Sequence, residues 1–318
     1  MPGGKCMREV GPDLCDVRGR IAPPSADGTC TCKSNVKGQN CNRCKDSTFH
    51  LSSDFPDGCI SCFCMGVTNQ CTSTSYRRSQ VSLSFNSSPE GVFLTDMNQK
   101  IKITDSLSVN RRRELVFRGF DRQDKDGIYF WSLTEEFLGD KVSSYGGYLR
   151  FTLNHKAGRD NSQLGMNNPL VEIGGNDISL MYRPSQPIPE GSQTSFQVPF
   201  IETEWVKVNG DRSTREHLLM TLADLKFILI RASYAMDMEQ SSIKDISMDI
   251  AERRGTGDRA YPVEECVCPQ GYKGLSCEDC APGFTRSGGG LYLGLCTQCD
   301  CNGHSDECDP ETGVCRVS

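Results

Sequence analysis

The chain contains 19 cysteines, and none of them lies between Cys71 and Cys266. On both sides of this gap the cysteines follow the same spacing, with one interval differing by a single residue. The two matching series are Cys32, Cys41, Cys44, Cys59, Cys62, Cys64 and Cys268, Cys277, Cys280, Cys296, Cys299, Cys301. A new unit begins at Cys62, as one does at Cys299, yet it is continued only at Cys266. The pattern therefore predicts a large insertion within one small cysteine module.

The insertion and its flanks differ in how they can be stabilised. Residues 72–265 are numerous enough to bury a hydrophobic core, whereas the short flanking pieces need cross-links. A mean hydropathy of −0.46 and the lack of any apolar run near ~18 residues exclude a membrane span. A net charge of −6 and a pI near 5.4 exclude a nucleic-acid partner, which would need a basic surface. The N-terminal residues 1–6 carry no apolar targeting segment, so we expect a piece of a longer exported chain.

The cysteines themselves allow two chemical interpretations. Two sets of paired CxxC knuckles, within residues 41–62 and 277–299, approximate four-thiolate zinc sites. Zinc at both sets would leave most of the 19 cysteines without a role. A disulfide framework accounts for nearly all of them, and it places the protein in an oxidising, extracellular compartment. We therefore expect no metal and no other cofactor.

Several sequence motifs resemble one extracellular family. The motifs at 301–305 (Cys-Asn-Gly-His-Ser) and 308–313 (Cys-Asp-Pro-Glu-Thr-Gly) resemble laminin-type EGF-like modules. A module split by a long insertion resembles the laminin IV (L4) domain arrangement of basement-membrane proteoglycans and laminin α chains. Segments 130–133, 137–142, 144–151 and 229–234 favour the proteoglycan branch, with laminin α short arms as the second choice.

The resemblance implies a disulfide pattern in which the cysteines of each module pair first to third, second to fourth, fifth to sixth and seventh to eighth. On this sequence the implied pairs are Cys32–Cys41, Cys44–Cys59, Cys62–Cys71, Cys64–Cys266, Cys268–Cys277, Cys280–Cys296, Cys299–Cys308 and Cys301–Cys315. The first module departs from the pattern, because only Cys6, Cys15 and Cys30 precede Cys32. Either Cys15 pairs with Cys30 and leaves Cys6 free, or Cys6 pairs with Cys15 and leaves Cys30 free. The spacing favours the first alternative.

The predicted organisation names four parts of the chain. The first module is incomplete and covers residues 1–61. The split module consists of residues 62–71 and 266–298, and the last module, 299–318, is truncated. Residues 72–265 form the laminin IV insertion between the two parts of the split module.

The insertion is predicted to be mostly β. Residues alternate between apolar and polar in Val81–Phe85, Leu149–Leu153 and Ile246–Ile250, which is typical of half-buried strands. Further short strands are predicted at 101–103, 115–117, 170–173, 178–182, 195–200, 205–208 and 227–230. One helix is expected after a capping box formed by Ser213 and Glu216. Together these indicate an antiparallel β-sandwich, and the family resemblance implies a jelly-roll-like one.

The sequence offers little for catalysis. His50, His155, His217 and His304 belong to no catalytic or metal-binding motif, and we expect no enzyme activity. Residues 121–127 resemble a calcium loop only faintly, because Arg122 and Leu133 occupy ligand positions. Asn86 begins the sequon Asn-Ser-Ser and is the predicted glycosylation site.

Two functions follow from this sequence. The first is a structural and adhesive segment of a secreted, basement-membrane matrix protein, whose partners are other matrix proteins or cell-surface receptors. The alternative is a recognition module whose sandwich loops or edge bind a saccharide or a protein. Loop aromatics would distinguish the two, and the candidates are Tyr145, Tyr148, Tyr182 and Trp205. Their alternation with polar residues predicts that most of them are buried.

Overall fold

The structure is a computed structural model that describes residues 14–124, 127–162, 164, 168–290, 292–302, 305 and 307–316. Cys6, predicted to be unpaired, and His304 lie outside the described residues. So does part of the segment 121–127 that resembles a calcium loop.

Strands account for most of the regular structure. Before the insertion and at its start lie β1 (Val36–Lys37), β2 (Arg43–Cys44), β3 (Thr48–Phe49), β4 (Ile60–Ser61) and β5 (Cys71–Ser73). The insertion contains β6 (Arg77–Leu83), β7 (Phe93–Asp96), β8 (Leu107–Val109), β9 (Leu115–Phe117), β10 (Tyr129–Ser132), β11 (Tyr148–Ala157), β12 (Val171–Gly175), β13 (Ile178–Tyr182), β14 (Thr194–Pro199), β15 (Trp205–Lys207), β16 (Leu225–Arg231) and β17 (Met238–Glu252). After it follow β18 (Glu264–Cys266), β19 (Tyr272–Lys273), β20 (Asp279–Cys280), β21 (Phe284–Ser287) and β22 (Leu295–Gln298).

Within the described ranges, helical structure consists of one α-helix and short 3₁₀ turns. The α-helix, α1, spans Arg215–Ala223 and packs Leu218, Leu219 and Leu222 into the core. The 3₁₀ turns are Cys64–Gly66, Phe120–Arg122, Glu135–Phe137, Val142–Ser144 and Glu202–Glu204.

The insertion folds into two six-stranded antiparallel sheets, which confirms the predicted β-sandwich. One sheet has the order β15-β13-β12-β16-β10-β7. The other has the order β14-β11-β17-β9-β8, with β6 paired to β17. Sequence neighbours such as β16 and β17 lie in different sheets, so the chain crosses repeatedly between the two layers.

The core lies between the two sheets and follows the alternation seen in the sequence. In β11, Leu149, Phe151 and Leu153 are at most 1% exposed, while Arg150 between them is partly exposed. Trp131 and Trp205 are the largest buried side chains, at 0% and 1% exposure. Each buried large apolar side chain stabilises the fold by about 1.5–3 kcal/mol. The buried core therefore supplies the sandwich with stabilisation that needs no cross-link within it.

Two local predictions were wrong in detail. The strand expected at 101–103 is reduced to a single bridge between Ile103 and Leu94, and Ile101 is 40% exposed. The capping residue of α1 is Thr214 rather than Ser213. The Thr214 hydroxyl accepts the His217 backbone N–H, and His217 Nδ1 accepts the Thr214 backbone N–H at 3.2 Å. An imidazole thus takes the place of the Glu216 carboxylate in the capping box.

The flanking modules are held by nine disulfides among the described residues. Their Cα–Cα distances lie between 5.1 and 5.9 Å. The bridges are Cys15–Cys30, Cys32–Cys41, Cys44–Cys59, Cys62–Cys71, Cys64–Cys266, Cys268–Cys277, Cys280–Cys296, Cys299–Cys308 and Cys301–Cys315. Eight of these are the pairs that the family resemblance implies, and Cys15–Cys30 is the alternative that the spacing favours for the first module.

The two ends of the insertion leave the split module side by side. Strand β5 pairs with β18, so that Cys71 lies opposite Cys266 and Ser73 lies opposite Glu264. The Cys64–Cys266 disulfide closes the same neck, with a sequence separation of 202 residues. The sandwich is therefore attached at one neck, and the modules continue past it.

Candidate functional site

The most unusual side-chain arrangement lies where the sandwich meets the modules. We call it the Arg215 junction and define it by Phe49, Ser61, Tyr145, Arg215 and Glu264. These residues come from the first module, the sandwich, the helix and the exit strand. Arg215 and Glu264 are 9% and 1% exposed, so an ion pair is buried at the neck.

Arg215 reaches this position because it is the first residue of α1. Its Nη1 donates to the carbonyl oxygen of Ser61 at 2.9 Å, and its Nη2 donates to Glu264 Oε2 at 3.2 Å. The guanidinium also lies over the Tyr145 ring at 4.8 Å and over the Phe49 ring at 5.7 Å. One cation therefore contacts the first module, the sandwich and the exit strand together.

The Glu264 carboxylate fixes the start of the split module. Its Oε2 accepts the backbone N–H of Phe63 at 2.9 Å, and its Oε1 accepts that of Cys64 at 3.0 Å. Burial alone would lower the pKa of Arg215, but the charge and hydrogen bond of Glu264, together with nearby Tyr145 and Glu202, outweigh it and raise that pKa. Because each charge compensates the other, removing either one leaves an uncompensated buried charge.

Tyr145 extends the junction into the sandwich. Its ring is 1% exposed, and its hydroxyl donates to Glu202 Oε2 at 2.7 Å. Burial raises the pKa of the Tyr145 hydroxyl, so the phenol stays neutral and remains a donor. Arg215 therefore contacts the face of the Tyr145 ring, while Glu202 binds its hydroxyl.

A second contact joins the sandwich to the other half of the split module. Glu278 is 3% exposed, and its two oxygens accept the backbone N–H groups of Leu275 and Ser276. Its carboxyl group lies close enough to that of Asp140 in the sandwich for the Asp140 charge to act on it. Burial, together with the nearby Asp140 charge, raises the pKa of Glu278 to about 8. Burial likewise raises the pKa of Asp140.

Aromatic side chains complete the neck. The His50 ring of the first module stacks on Tyr261 with centroids 5.6 Å apart and an angle of 9°. Phe63 meets Tyr292 edge to face at 4.7 Å. Burial lowers the pKa of His50, so the stacked imidazole is neutral at physiological pH. The first contact joins the first module to the insertion, and the second joins the two parts of the split module.

Metal binding at the neck is limited by the disulfides. In the part of the chain that the structure describes, one group has metal-ligand spacing, namely Cys64, Cys71 and Glu264. Both sulfurs are in disulfides, and both Glu264 oxygens accept backbone N–H groups. The group therefore offers no free thiolate.

The residues named for function from the sequence are spread over the molecule. Asn86 is exposed in the bend after β6. Tyr145 and Trp205 are 1% exposed, as expected, and Tyr182 is half-buried, but Tyr148 is 37% exposed beneath the Arg150 guanidinium.

The described histidines also fail to converge on one site. His50 lies in the first module, His155 in β11 and His217 in α1.

Sequence reasoning missed Arg215 and Glu264. Neither residue belongs to a motif, and the two are separated by 49 positions in the chain. The available signal was weak, since it consisted only of an acidic pair placed directly before Cys266. Their pairing depends on the neck that brings the helix and the exit strand together.

Among the described residues, no helix is long and apolar enough to cross a membrane.

Two family models match the sequence. The model for laminin B (domain IV) matches residues 130–264, and the model for the laminin EGF domain matches residues 5–59 and 262–290.

Similar proteins cover nearly the whole chain. The mouse protein named basement membrane-specific heparan sulfate proteoglycan core protein is 44% identical over 317 residues, which is 99% of this chain and 8% of that protein. Human laminin subunit alpha-1 is 34% identical over 309 residues, 89% of this chain and 10% of that protein. Among solved structures, the L4b domain of human laminin alpha-2 is 30% identical with a TM-score of 0.48, and it covers 55% of this chain and 98% of that domain. The chain thus spans about a tenth or less of these two curated relatives.

Proposed function

This chain belongs to the laminin IV and laminin EGF domain family, and on that premise we propose that it is a non-catalytic structural segment of a secreted basement-membrane protein. In this role the disulfide-linked modules form a rod, and the sandwich is presented from its side at a fixed orientation. The parts of the segment are residues 1–61, 62–71 with 266–298, 72–265, and 299–318.

The Arg215 junction is the observation that carries this proposal. A spacer of defined geometry needs its globular unit fixed to the rod rather than connected by a flexible linker. Arg215 supplies that connection, because one buried guanidinium bonds Ser61 and Glu264 and lies over the Tyr145 ring. Removing one partner of a buried pair costs about 3–5 kcal/mol, so a broken junction is disfavoured.

Small-angle X-ray scattering tests the proposal directly. We expect the unmodified chain to scatter as one rigid particle with the sandwich beside the rod. Arg215→Met should broaden the distance distribution, whereas Arg254→Met, which changes an exposed arginine, should leave it unchanged. A flexible sandwich in the unmodified chain would contradict a spacer of fixed geometry.

The cross-links are part of the proposal. We expect nine bridges in the pattern described above, with Cys6 unpaired and no stoichiometric zinc. Peptide mapping under non-reducing conditions and metal analysis measure both quantities. Most thiols free, or about one zinc per set of CxxC knuckles, would instead support the metal interpretation and an intracellular setting.

Modification and partners complete the proposal. Asn86 is exposed after β6, and this accessibility supports its use as a glycosylation site in a secreted chain. The partners of the segment are other matrix proteins or cell-surface receptors. Binding of the isolated chain to an array of matrix proteins and glycans identifies them.

A further inference from the structure

The end of the sandwich that points away from the neck contains a cavity of about 360 Å³. Small-molecule and side-chain pockets typically span about 300–1,000 Å³. The cavity is bordered by the last residues of β11 and β16 and by the connection 183–193 between β13 and β14. Strand β11 starts at Tyr148, beside the neck, and ends at Ala157. At ~3.3 Å per residue this places the cavity ~30 Å from the Arg215 junction.

A buried cation lines this cavity. Arg231 is 7% exposed, and its Nε donates to the carbonyl oxygen of Ser233 at 2.8 Å while its Nη2 donates to that of Leu164. Within the described residues, no carboxylate lies at ion-pair distance from Arg231. Burial lowers the pKa of this guanidinium, because desolvation disfavours its charged form.

Arg231 lacks the carboxylate counter-ion that Arg215 has among the described residues. Arg215 is buried to a similar degree but is paired with Glu264. Burying an unpaired charge is costly, and proteins normally place a partner of opposite charge beside it. Arg231 has no such carboxylate among the described residues, and it lines the open volume of the cavity.

A second polar side chain in the wall has a ring nitrogen without a hydrogen-bond partner. His155 is 5% exposed, and its Nδ1 has no hydrogen-bond partner among the described residues. Its ring stacks on Tyr234 with centroids 4.3 Å apart, and the Arg231 guanidinium lies over the same Tyr234 ring at 5.1 Å. Burial lowers the pKa of His155, so the imidazole is neutral and available for a hydrogen bond rather than for charge.

The rim of the cavity is organised in advance. The connection 183–193 contains Pro184, Pro187 and Pro189, which restrict its backbone. Its far end is anchored to β11, because Glu190 Oε1 accepts the Ala157 N–H and the Gly191 N–H donates to the His155 carbonyl oxygen. A rim that is ordered before binding lowers the entropic cost of holding a ligand.

We propose that this cavity binds the carboxylate side chain of a glutamate or aspartate on a protein partner, with Arg231 as the anion-binding group. This inference does not depend on the proposed structural role, which rests on the contacts at the neck. The Arg231 Nε and Nη2 already donate to carbonyl oxygens, so Nη1, which has no partner among the described residues, offers the N–H donors for a carboxylate oxygen. The unsatisfied His155 lies in the same wall and offers a further hydrogen bond.

The walls favour a peptide over a saccharide. A sugar ring is normally held against a free aromatic face, but the half-buried Tyr234 ring already contacts both His155 and Arg231. The other lining residues include Leu170, Ile188 and Ala235, which match aliphatic peptide side chains. Glu190 also lies at the rim, and its charge disfavours a densely charged polyanion more than a single carboxylate.

Nuclear magnetic resonance titration of the chain tests the proposal. The probe is the capped tripeptide acetyl-Leu-Glu-Leu-amide, the matched control is acetyl-Leu-Gln-Leu-amide, and glucuronic acid is the saccharide arm. We expect the glutamate peptide to shift the Arg231 side-chain signal saturably and to bind at least about tenfold more tightly than the glutamine peptide. Equal binding of both peptides, no saturable shift, or tighter binding of glucuronic acid at this site overturns the proposal.

Two variants locate the binding. Ile188→Glu places a negative charge, of the same sign as the peptide carboxylate, at the rim without changing the hydrogen bonds of Arg231. It should weaken peptide binding at least about tenfold. Val208→Glu, at a position 62% exposed directly after β15, is the control and should leave binding unchanged. Unaltered binding in Ile188→Glu contradicts the assignment. The scattering profile of each variant separates this result from the structural proposal, because neither change touches the neck.

Discussion

The sandwich and the modules solve the same problem of stability in different ways. The sandwich contains no cysteine and buries residues such as Trp131, Phe130 and Ile230 at 0% exposure. The first module has a separate small cluster formed by Val36, Cys41 and Cys59, in which sulfur replaces much of the hydrocarbon. The difference teaches that chain length decides the means of stabilisation, because a short piece cannot bury enough apolar surface.

The hydrophobic core of the sandwich extends into the cysteine-rich modules. Phe49, Ile60, Phe63 and Met65 belong to modules by sequence, yet they pack in the same hydrophobic cluster as the sandwich. The modules beside the neck therefore share the core of the insertion. Four changes test how far each region depends on the other, and they follow in order of expected effect.

The largest effect is expected from Cys64→Ser combined with Cys266→Ser. In the chain-entropy model, opening a loop of this length costs roughly 5 kcal/mol. We expect the split module to loosen while residues 72–265 remain folded on their own core, as measured by thermal melting and site-specific proteolysis. Cys15→Ser with Cys30→Ser is the control, and it should affect only the first module. Loss of the sandwich in the first variant would mean that the bridge, not the core, holds it.

The next effect is expected at the Arg215 junction. Arg215→Met leaves the Glu264 carboxylate buried without its cation and should lower the free energy of unfolding by about 3–5 kcal/mol. Adding Glu264→Gln removes the unpaired charge, so the double variant should recover part of the loss. Chemical denaturation measures both, with Arg254→Met as the control. A loss below about 1 kcal/mol in Arg215→Met would place the junction among weak surface pairs.

A pH-dependent effect is expected from Glu278. Its pKa in the folded protein is about 8, above the ordinary glutamate value of about 4.3 in the unfolded chain. Between these values the folded state binds more protons, so stability falls as pH rises from about 4.5 through about 8, by at most about 1.4 kcal/mol per pH unit.

The Glu278→Gln variant isolates this contribution. It should flatten the decline in melting temperature across this pH range. Glu172, whose pKa burial raises to about 7, acts in the same direction on the sandwich and remains as the background. An unchanged pH profile in Glu278→Gln would show that the contact with Asp140 is not coupled to protonation.

The smallest effect is expected at Asn86. Asn86→Gln removes the sequon at an exposed position, so the free energy of unfolding should change by less than about 0.5 kcal/mol. Mass spectrometry of chain secreted from eukaryotic cells should show the loss of one N-glycan. An unchanged mass would exclude Asn86 as the site, and a large loss of stability would show that the glycan supports the sandwich.

The sequence predicted the repeating features well. The cysteine register located the insertion between Cys71 and Cys266, and alternation in β11 and β17 identified strands that the structure contains. The resemblance to laminin EGF and laminin IV domains is confirmed by the family models. These signals are local or periodic, and therefore a single sequence carries them.

Apart from the disulfides that the resemblance implied, contacts between distant side chains could not be predicted from the sequence. Arg215 pairs with Glu264 only because the neck brings α1 and β18 together. Likewise, nothing in the sequence distinguishes Arg231, which lacks a carboxylate, from Arg215, which has one. The prediction of the α1 capping residue was wrong for a smaller reason. Ser213 and Thr214 are both suitable capping residues, and in the structure the second one caps the helix.

The Cys64–Cys266 bridge also determines how the molecule responds to force. When the two ends of the chain are pulled apart, tension reaches Cys64, crosses to Cys266 over a Cα–Cα distance of 5.8 Å and continues into the split module. The sandwich lies in the loop that this bridge closes, so tension along the rod does not pass through it. A matrix under strain can therefore stretch its modules while the sandwich stays folded, until the bridge is reduced.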